Sequence, residues 1–202
     1  DSLVLIAVDY TYGVTSIYNS GTTDEVESAM SSTVIIRPRS DTVREVAYDD
    51  GTSETGATSL GENSWYAVRF SSNIFPITLM TLKYHSREEG GLTYLAIFDD
   101  DGNDGMPGNH IGTTLIFPTM TQGWNIKDVS GAGLTITEGQ FYVAWGETAN
   151  SPPLSIDTGS ESKERSYYYT EVDEWAPLSD LGYEGDLLIR AAIDIEGAGV
   201  RD

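Results

Sequence analysis

Apolar and polar residues alternate along most of this chain with a period of two, in short runs. Tyr66, Val68 and Phe70 fall on one side of a run whose other side carries Ala67 and Arg69. Phe141, Val143 and Trp145 share one side of another run. Leu187, Ile189, Ala191, Ile193 and Ile195 share a third, opposite Arg190, Asp194 and Glu196. Successive side chains of an extended strand point to opposite faces, so the pattern predicts strands with one face in a core and one in water. Strands are expected near residues 3–18, 33–37, 44–48, 65–70, 77–84, 92–98, 113–117, 123–127, 134–137, 140–145, 166–170 and 186–195, between turns rich in Gly, Asp, Asn, Ser and Pro. Helical periodicity is confined to one short segment, 24–30. The expected fold is all-β: an antiparallel, jelly-roll-like β-sandwich with an N-terminal strand extension.

That extension differs from the rest. Val4, Ile6, Val8, Tyr10, Tyr12 and Val14 alternate on one face. At about 3.3 Å per residue they make a strand of roughly 36 Å, longer than most. A polar stretch and then Arg37-Pro38-Arg39-Ser40-Asp41 follow, so the expected division is an extension at 1–44 and a sandwich at 45–202. One reading of the long strand is donation: its apolar face fills a groove in a neighbouring subunit while its backbone completes that subunit's sheet. Such head-to-tail contacts build filaments. The other reading pairs the strand within its own chain.

Composition narrows the partners. The chain has 202 residues with no cysteine, so neither disulfides nor thiolate chemistry is available. Thirty-two acids against 11 basic residues leave a net charge of −21. A field of that sign repels nucleic acid and anionic lipid and attracts cations. No apolar run is long enough to cross a membrane. Two histidines, His85 and His110, are too few for a zinc site or a histidine-based catalytic network.

From Val46 onward the motifs follow an order: Tyr48-Asp49-Asp50-Gly51, an aromatic strand ending Arg69-Phe70, Phe75-Pro76, Phe98-Asp99-Asp100-Asp101-Gly102 running into Gly105-Met106-Pro107-Gly108, Gly123-Trp124, Glu138-Gly139-Gln140-Phe141-Tyr142-Val143, and Leu187-Leu188-Ile189-Arg190-Ala191. Over residues 46–196 this series resembles the jelly-roll-like β-sandwich modules appended to secreted bacterial and archaeal surface proteins. The resemblance implies a non-catalytic sandwich used in adhesion, surface assembly or glycan binding. A fold alone names no ligand.

The acidic turn 99–108 is the strongest chemical signal. Ca²⁺ takes six to eight hard oxygen ligands, and alternate side chains of a tight loop supply them. Asp99, Asp101 and Asn103 have that spacing and Asp104 adds a carboxylate. The turn is not an EF-hand: position six is Asp104 rather than glycine, and position twelve is His110. The competing reading is a polar hairpin turn whose side chains cap their own backbone. Asp49-Asp50-Gly51 and Asp157 are weaker contributors to a second ion site. Tyr167, Tyr169 and Trp175 are candidates for stacking on sugar rings, against the alternative that the tyrosines are half core and half surface.

No nucleophile elbow, phosphate loop or metalloprotease helix is present, and with so many acids no carboxylate pair singles itself out for glycoside hydrolysis. The expectation is a non-enzymatic, extracellular or cell-surface structural or adhesive module. It assembles with copies of itself or other surface proteins through β-strand contacts and is stabilised by Ca²⁺. The alternative is a carbohydrate-binding module recognising glycans.

Overall fold

The computed structural model describes residues 10–21, 23, 24, 26–36 and 42–195. The chain divides into two compact units, Asp1–Asp41 and Thr42–Asp202. The expected boundary at 44/45 moves to 41/42 because Val43 and Arg44 pair with Asp194 and Ile193 and so belong to the sandwich.

In the first unit, β1 (Tyr10–Tyr12), β2 (Ile17–Tyr18), β3 (Val26–Glu27) and β4 (Val34–Ile36) form an antiparallel hairpin, β1 against β4 and β2 against β3. The single long strand expected at 3–18 is therefore broken at residues 13–16 in its described part. Tyr10↔Ile36 and Tyr18↔Val26 belong to different registers, and the chain bulges between them. Met30 packs against Gly13 at the break, where a Cβ would lie 2.6 Å from the Met30 side chain. Segment 24–30 carries β3, not a helix. Val4, Ile6 and Val8 lie outside the described residues.

The second unit is an antiparallel β-sandwich. Its strands are β5 (Val43–Val46), β6 (Thr55–Gly56), β7 (Trp65–Ser71), β8 (Ile77–Ser86), β9 (Thr93–Asp99), β10 (Leu115–Phe117), β11 (Gly123–Asp128), β12 (Thr135–Ile136), β13 (Gln140–Gly146), β14 (Ser155–Asp157), β15 (Ser166–Thr170), β16 (Glu174–Pro177), β17 (Asp186–Leu187) and β18 (Ile189–Asp194). One sheet has the order β10-β9-β13-β7-β15-β16. The other runs β11-β8-β18-β5, with β12 also on β8, and a small third sheet is β17-β14-β6.

The inner faces meet as the alternation predicts. Tyr66, Val68, Phe70, Leu95, Ile97, Phe141, Val143 and Trp145 from the six-stranded sheet pack against Ile77, Leu79, Leu82, Tyr84, Ile189, Ala191 and Ile193. Phe70 stacks on Phe141 with centroids 5.4 Å apart, and Tyr84 lies 5.8 Å from Trp145. Large aromatics dominate this core because each removes a large apolar area from water.

The outer face of the six-stranded sheet is not wet. Ala67, Ala96, Phe98, Tyr142, Ala144 and Tyr167 form a second buried cluster, with Trp65, Met106 and Trp175 packed on it. Phe98 on β9 and Trp175 on β16 stand four strand spacings apart in the sheet order. A flat sheet would separate them by roughly 19 Å at about 4.8 Å per spacing, yet their ring centroids are 5.6 Å apart. The sheet rolls its outer face inward and fills the hollow with its own rings. Alanines floor the hollow, and Gly146 leaves room for Trp65, whose ring atoms would sit 2.6 Å from a Cβ at that position.

Candidate functional site

The acidic turn leaves the end of β9 and folds back over this aromatic hollow. Its backbone closes on itself: Gly108 N–H donates to Asp99 O at 2.9 Å, Asp99 N–H to Asn109 O at 2.9 Å, and Gly102 N–H to Met106 O at 3.1 Å. A single 3₁₀ turn, Asn103–Gly105, forms the tip, with Asp104 in the left-handed region at φ 56°. Gly102 and Gly108 let the two arms cross, since a Cβ on Gly108 would lie 2.6 Å from Gly102 N. The sheet holds the tip from below, where the Tyr142 hydroxyl donates to Gly105 O at 2.6 Å. Burial, together with the neighbouring Tyr167, pushes that hydroxyl up to about 12, so it remains a donor at physiological pH.

Two of the four expected metal ligands, Asp99 and Asp101, have protein partners. Asp101 accepts from Asn109 N at 2.7 Å and from Asn109 Nδ2. The Asn109 backbone N–H is the chief reason its carboxyl sits below the usual range. Asp99 Oδ1 accepts from Asp100 N at 3.0 Å, and Asp100 Oδ2 accepts from Gln140 N at 2.9 Å. Asn103 and Asp104 are exposed at the tip. Among the described residues no three His, Cys, Asp or Glu side chains converge on a metal-sized group.

The structure does bring the acidic turn to one of the sugar-stacking candidates. Asp101, Gly102, Asn103, Asp104, Met106 and Pro107 line one side of a cleft of about 430 Å³, and Glu174 and Trp175 line the other. Trp175 is half-buried; its ring is fixed by Phe98 at 5.6 Å and Tyr169 at 5.4 Å. The cleft thus offers a propped indole facing an amide and carboxylates, a combination that suits a ring carrying hydroxyls. Tyr167 is not part of it. At 5% exposure it belongs to the buried cluster, where its ring meets Tyr142 at 5.4 Å. Tyr169 acts as a prop rather than a lining residue. Sequence reasoning missed Met106, Pro107 and Glu174, since nothing local says that the turn crosses to β16.

The weaker ion candidates also meet, in a structural role. Asp157, fully buried, accepts from Asp50 N at 2.8 Å, Gly159 N at 2.9 Å, and Ser160 N and Oγ at 3.1 and 2.7 Å. Burial pushes its carboxyl up, and these donors outweigh it to leave the group below its ordinary value. Asp49 pairs with Arg190 at 2.5 Å. Asp50 Oδ1 caps Thr52. Asp157 thus fastens the 49–52 turn to the 157–160 loop, and Asp49 fastens it to β18.

No protein-family model matches the chain. Over 166 residues it is 26% identical to Bacillopeptidase F of Bacillus subtilis (strain 168), a match covering 76% of this chain and 11% of that protein. Among solved structures it superposes on the clostridial cysteine protease Cwp84 after propeptide cleavage, with a TM-score of 0.56, 14% identity, and 85% of this chain against 44% of that one. A second match is the cysteine protease and lectin-like domains of Cwp84, a surface layer associated protein of Clostridium difficile, with a TM-score of 0.57, 13% identity, and 86% against 39%. The chain therefore spans less than half of each of these relatives. At such identity the likeness is one of fold.

Proposed function

We propose that the sandwich is a non-catalytic saccharide-binding module of an extracellular or cell-surface protein, with the sugar ring resting on Trp175. The observation that carries this reading is the cleft itself, which sets a half-buried, doubly braced indole, with Glu174 beside it, opposite Asp101, Asn103 and Asp104. Such a site takes a ring on the indole face and its hydroxyls on the carboxylates and amide. The fold the chain shares with the cysteine protease and lectin-like domains of Cwp84, a surface layer associated protein, supports both the ligand class and the location. The test is retention on insoluble polysaccharides and cell-wall preparations. The unaltered chain is retained on at least one of them, and Trp175→Ala loses that retention by at least about tenfold, or about 1.4 kcal/mol. Equal retention of the two proteins sinks the reading.

Ca²⁺ is a second ligand of the same turn in this proposal. It would draw on Asp99, Asp101, Asn103 and Asp104, and it requires Asp101 to leave Asn109. Assembly through strand contacts is favoured by a separate observation: the hairpin exposes Tyr12, Val14, Ile17, Tyr18, Val26 and Met30, with Tyr18 at 72% and Val14 at 71%. A two-stranded hairpin is marginal alone in water, so this face suits a partner strand. Light scattering of the full chain and of residues 42–202 tests it, since only the full chain should form higher oligomers.

A further inference from the structure

A second cleft, of about 510 Å³, opens beyond the end of β16, with Arg69, Glu164, Tyr167, Ser179, Tyr183 and Glu184 in its wall. Several of its polar groups are unused. Arg69 Nε is buried without a hydrogen-bond partner. In a chain with 32 acids, Arg69 forms no ion pair among the described residues; its guanidinium meets only neutral groups, the hydroxyl of Tyr142 across the β7–β13 ladder and the Tyr167 ring at 5.4 Å. The Ser179 hydroxyl and the Glu164 and Glu184 carboxylates, all exposed, likewise have no hydrogen-bond or ion-pair partner among the described residues that would occupy them. Other hydroxyls in the wall are taken: Tyr183 meets Thr58 at 2.6 Å, and Ser166 Oγ accepts from Leu187 N at 3.0 Å.

A partly buried cation without a counter-charge is costly, and a ligand that supplies the charge recovers that loss. The two rim glutamates exclude a simple anion as the best fit, because they need hydroxyl donors rather than another negative group. A ligand carrying one carboxylate and several hydroxyls satisfies both demands. We infer that this cleft is a subsite for a carboxylated sugar of the uronate class, its carboxylate on Arg69 and its hydroxyls on Glu164, Glu184 and Ser179. The inference rests on the reading of the sandwich as a saccharide module, but it concerns a cleft separate from that of Trp175.

The test is an NMR titration of the isotope-labelled full chain with sodium glucuronate, glucose and glutamate in parallel, at about 0.15 M salt, where charges more than about 8 Å apart are screened. Glucuronate should shift the Arg69 side-chain signal and the Tyr167 and Ser179 amides, while glucose at equal concentration leaves them in place. Arg69→Gln should weaken glucuronate at least about tenfold, the loss of a charge-assisted contact. Arg69→Lys, which keeps the charge, serves as a second variant if Arg69→Gln fails to fold, and should retain part of the response. Equal response to glucose and glucuronate overturns the inference, as does a stronger response to glutamate, which would make the cleft an amino-acid site. Trp175→Ala is run alongside. If it abolishes polysaccharide retention and spares the glucuronate shifts, the two clefts are independent as stated. If it removes those shifts as well, the separate subsite is wrong. If polysaccharide retention never appears while glucuronate still binds at Arg69, the Trp175 reading fails alone.

Discussion

Tyr142→Phe isolates the link between the aromatic hollow and the acidic turn. The substitution keeps the buried ring, and so the packing against Tyr167 at 5.4 Å, and removes the hydroxyl, which donates to Gly105 O at 2.6 Å and also meets the Arg69 side chain. A neutral hydrogen bond is worth about 1 kcal/mol net. Gly105 is exposed, so water takes over its carbonyl and no buried acceptor is orphaned. For a domain of this size about 1 kcal/mol lowers Tm by roughly 2–4 °C. The same tether positions Met106 and Pro107 in the cleft wall, and its loss should weaken saccharide retention by up to about fivefold if all of that energy serves to hold the turn in place. Phe98→Ala sets the scale, because it empties the centre of the hollow, where the ring contacts Trp65, His110 and Trp175. It should cost about 3–5 kcal/mol. Differential scanning calorimetry and affinity electrophoresis read the two effects. An unchanged Tm and unchanged retention in Tyr142→Phe would refute the tether, and a loss as large as that of Phe98→Ala would mean the hydroxyl does something other than hold the turn.

Further outcomes follow from the same contacts. Gly146→Val drives a side chain into the Trp65 ring, where even a Cβ comes within 2.6 Å, and should lower stability by about 1–3 kcal/mol in urea unfolding. Removing residues 1–41 should leave the Tm of the sandwich within about 2 °C, because among the described residues every buried core side chain belongs to the second unit. On pH, burial raises the carboxyls of Glu147 and Asp186, for Asp186 aided by the charge of Asp157. A raised acid binds protons more readily in the folded chain, so stability grows as pH falls from neutral through those raised values toward the ordinary carboxylate range. The lowered Asp157 acts in the opposite sense, and its contribution is lost as pH falls through its depressed value. His85, lowered chiefly by burial, also acts against the two acids in mild acid, so the sign is read from the variant: Glu147→Gln should lose the acid-side gain that Glu147 supplies, leaving its Tm lower in mild acid relative to pH 7 than that of the unaltered chain. Parallel Tm–pH profiles of the two proteins contradict this.

The strands were legible where one face is buried and the other is not. Tyr66, Val68 and Phe70, and likewise Phe141, Val143 and Trp145, enter the inter-sheet core as their alternation predicts. The same alternation misjudged the opposite face. Ala67, Ala144 and Tyr142 are also buried, because the sheet rolls and a turn from β9 lies over it. A period of two assigns residues to faces; it cannot report that a distant segment covers the second face. The strands at Ser155–Asp157 and Glu174–Pro177 escaped notice because they are too short to show a period. The long alternating N-terminal run hid its break because Gly13 interrupts the backbone without interrupting the apolar pattern, and the seat for Met30 is visible only after the hairpin closes. At the candidate site, the turn and Trp175 were each visible as chemistry, but their meeting depends on how the sheet curls.

The most direct test of the saccharide reading is the indole N–H spectrum of the four tryptophans during titration with a retained oligosaccharide. Trp145 is fully buried between the sheets, while Trp175 lines the cleft. The account predicts a saturable shift of the Trp175 signal with Trp145 unmoved. A retained oligosaccharide that leaves Trp175 in place, or shifts Trp124 instead, would contradict it.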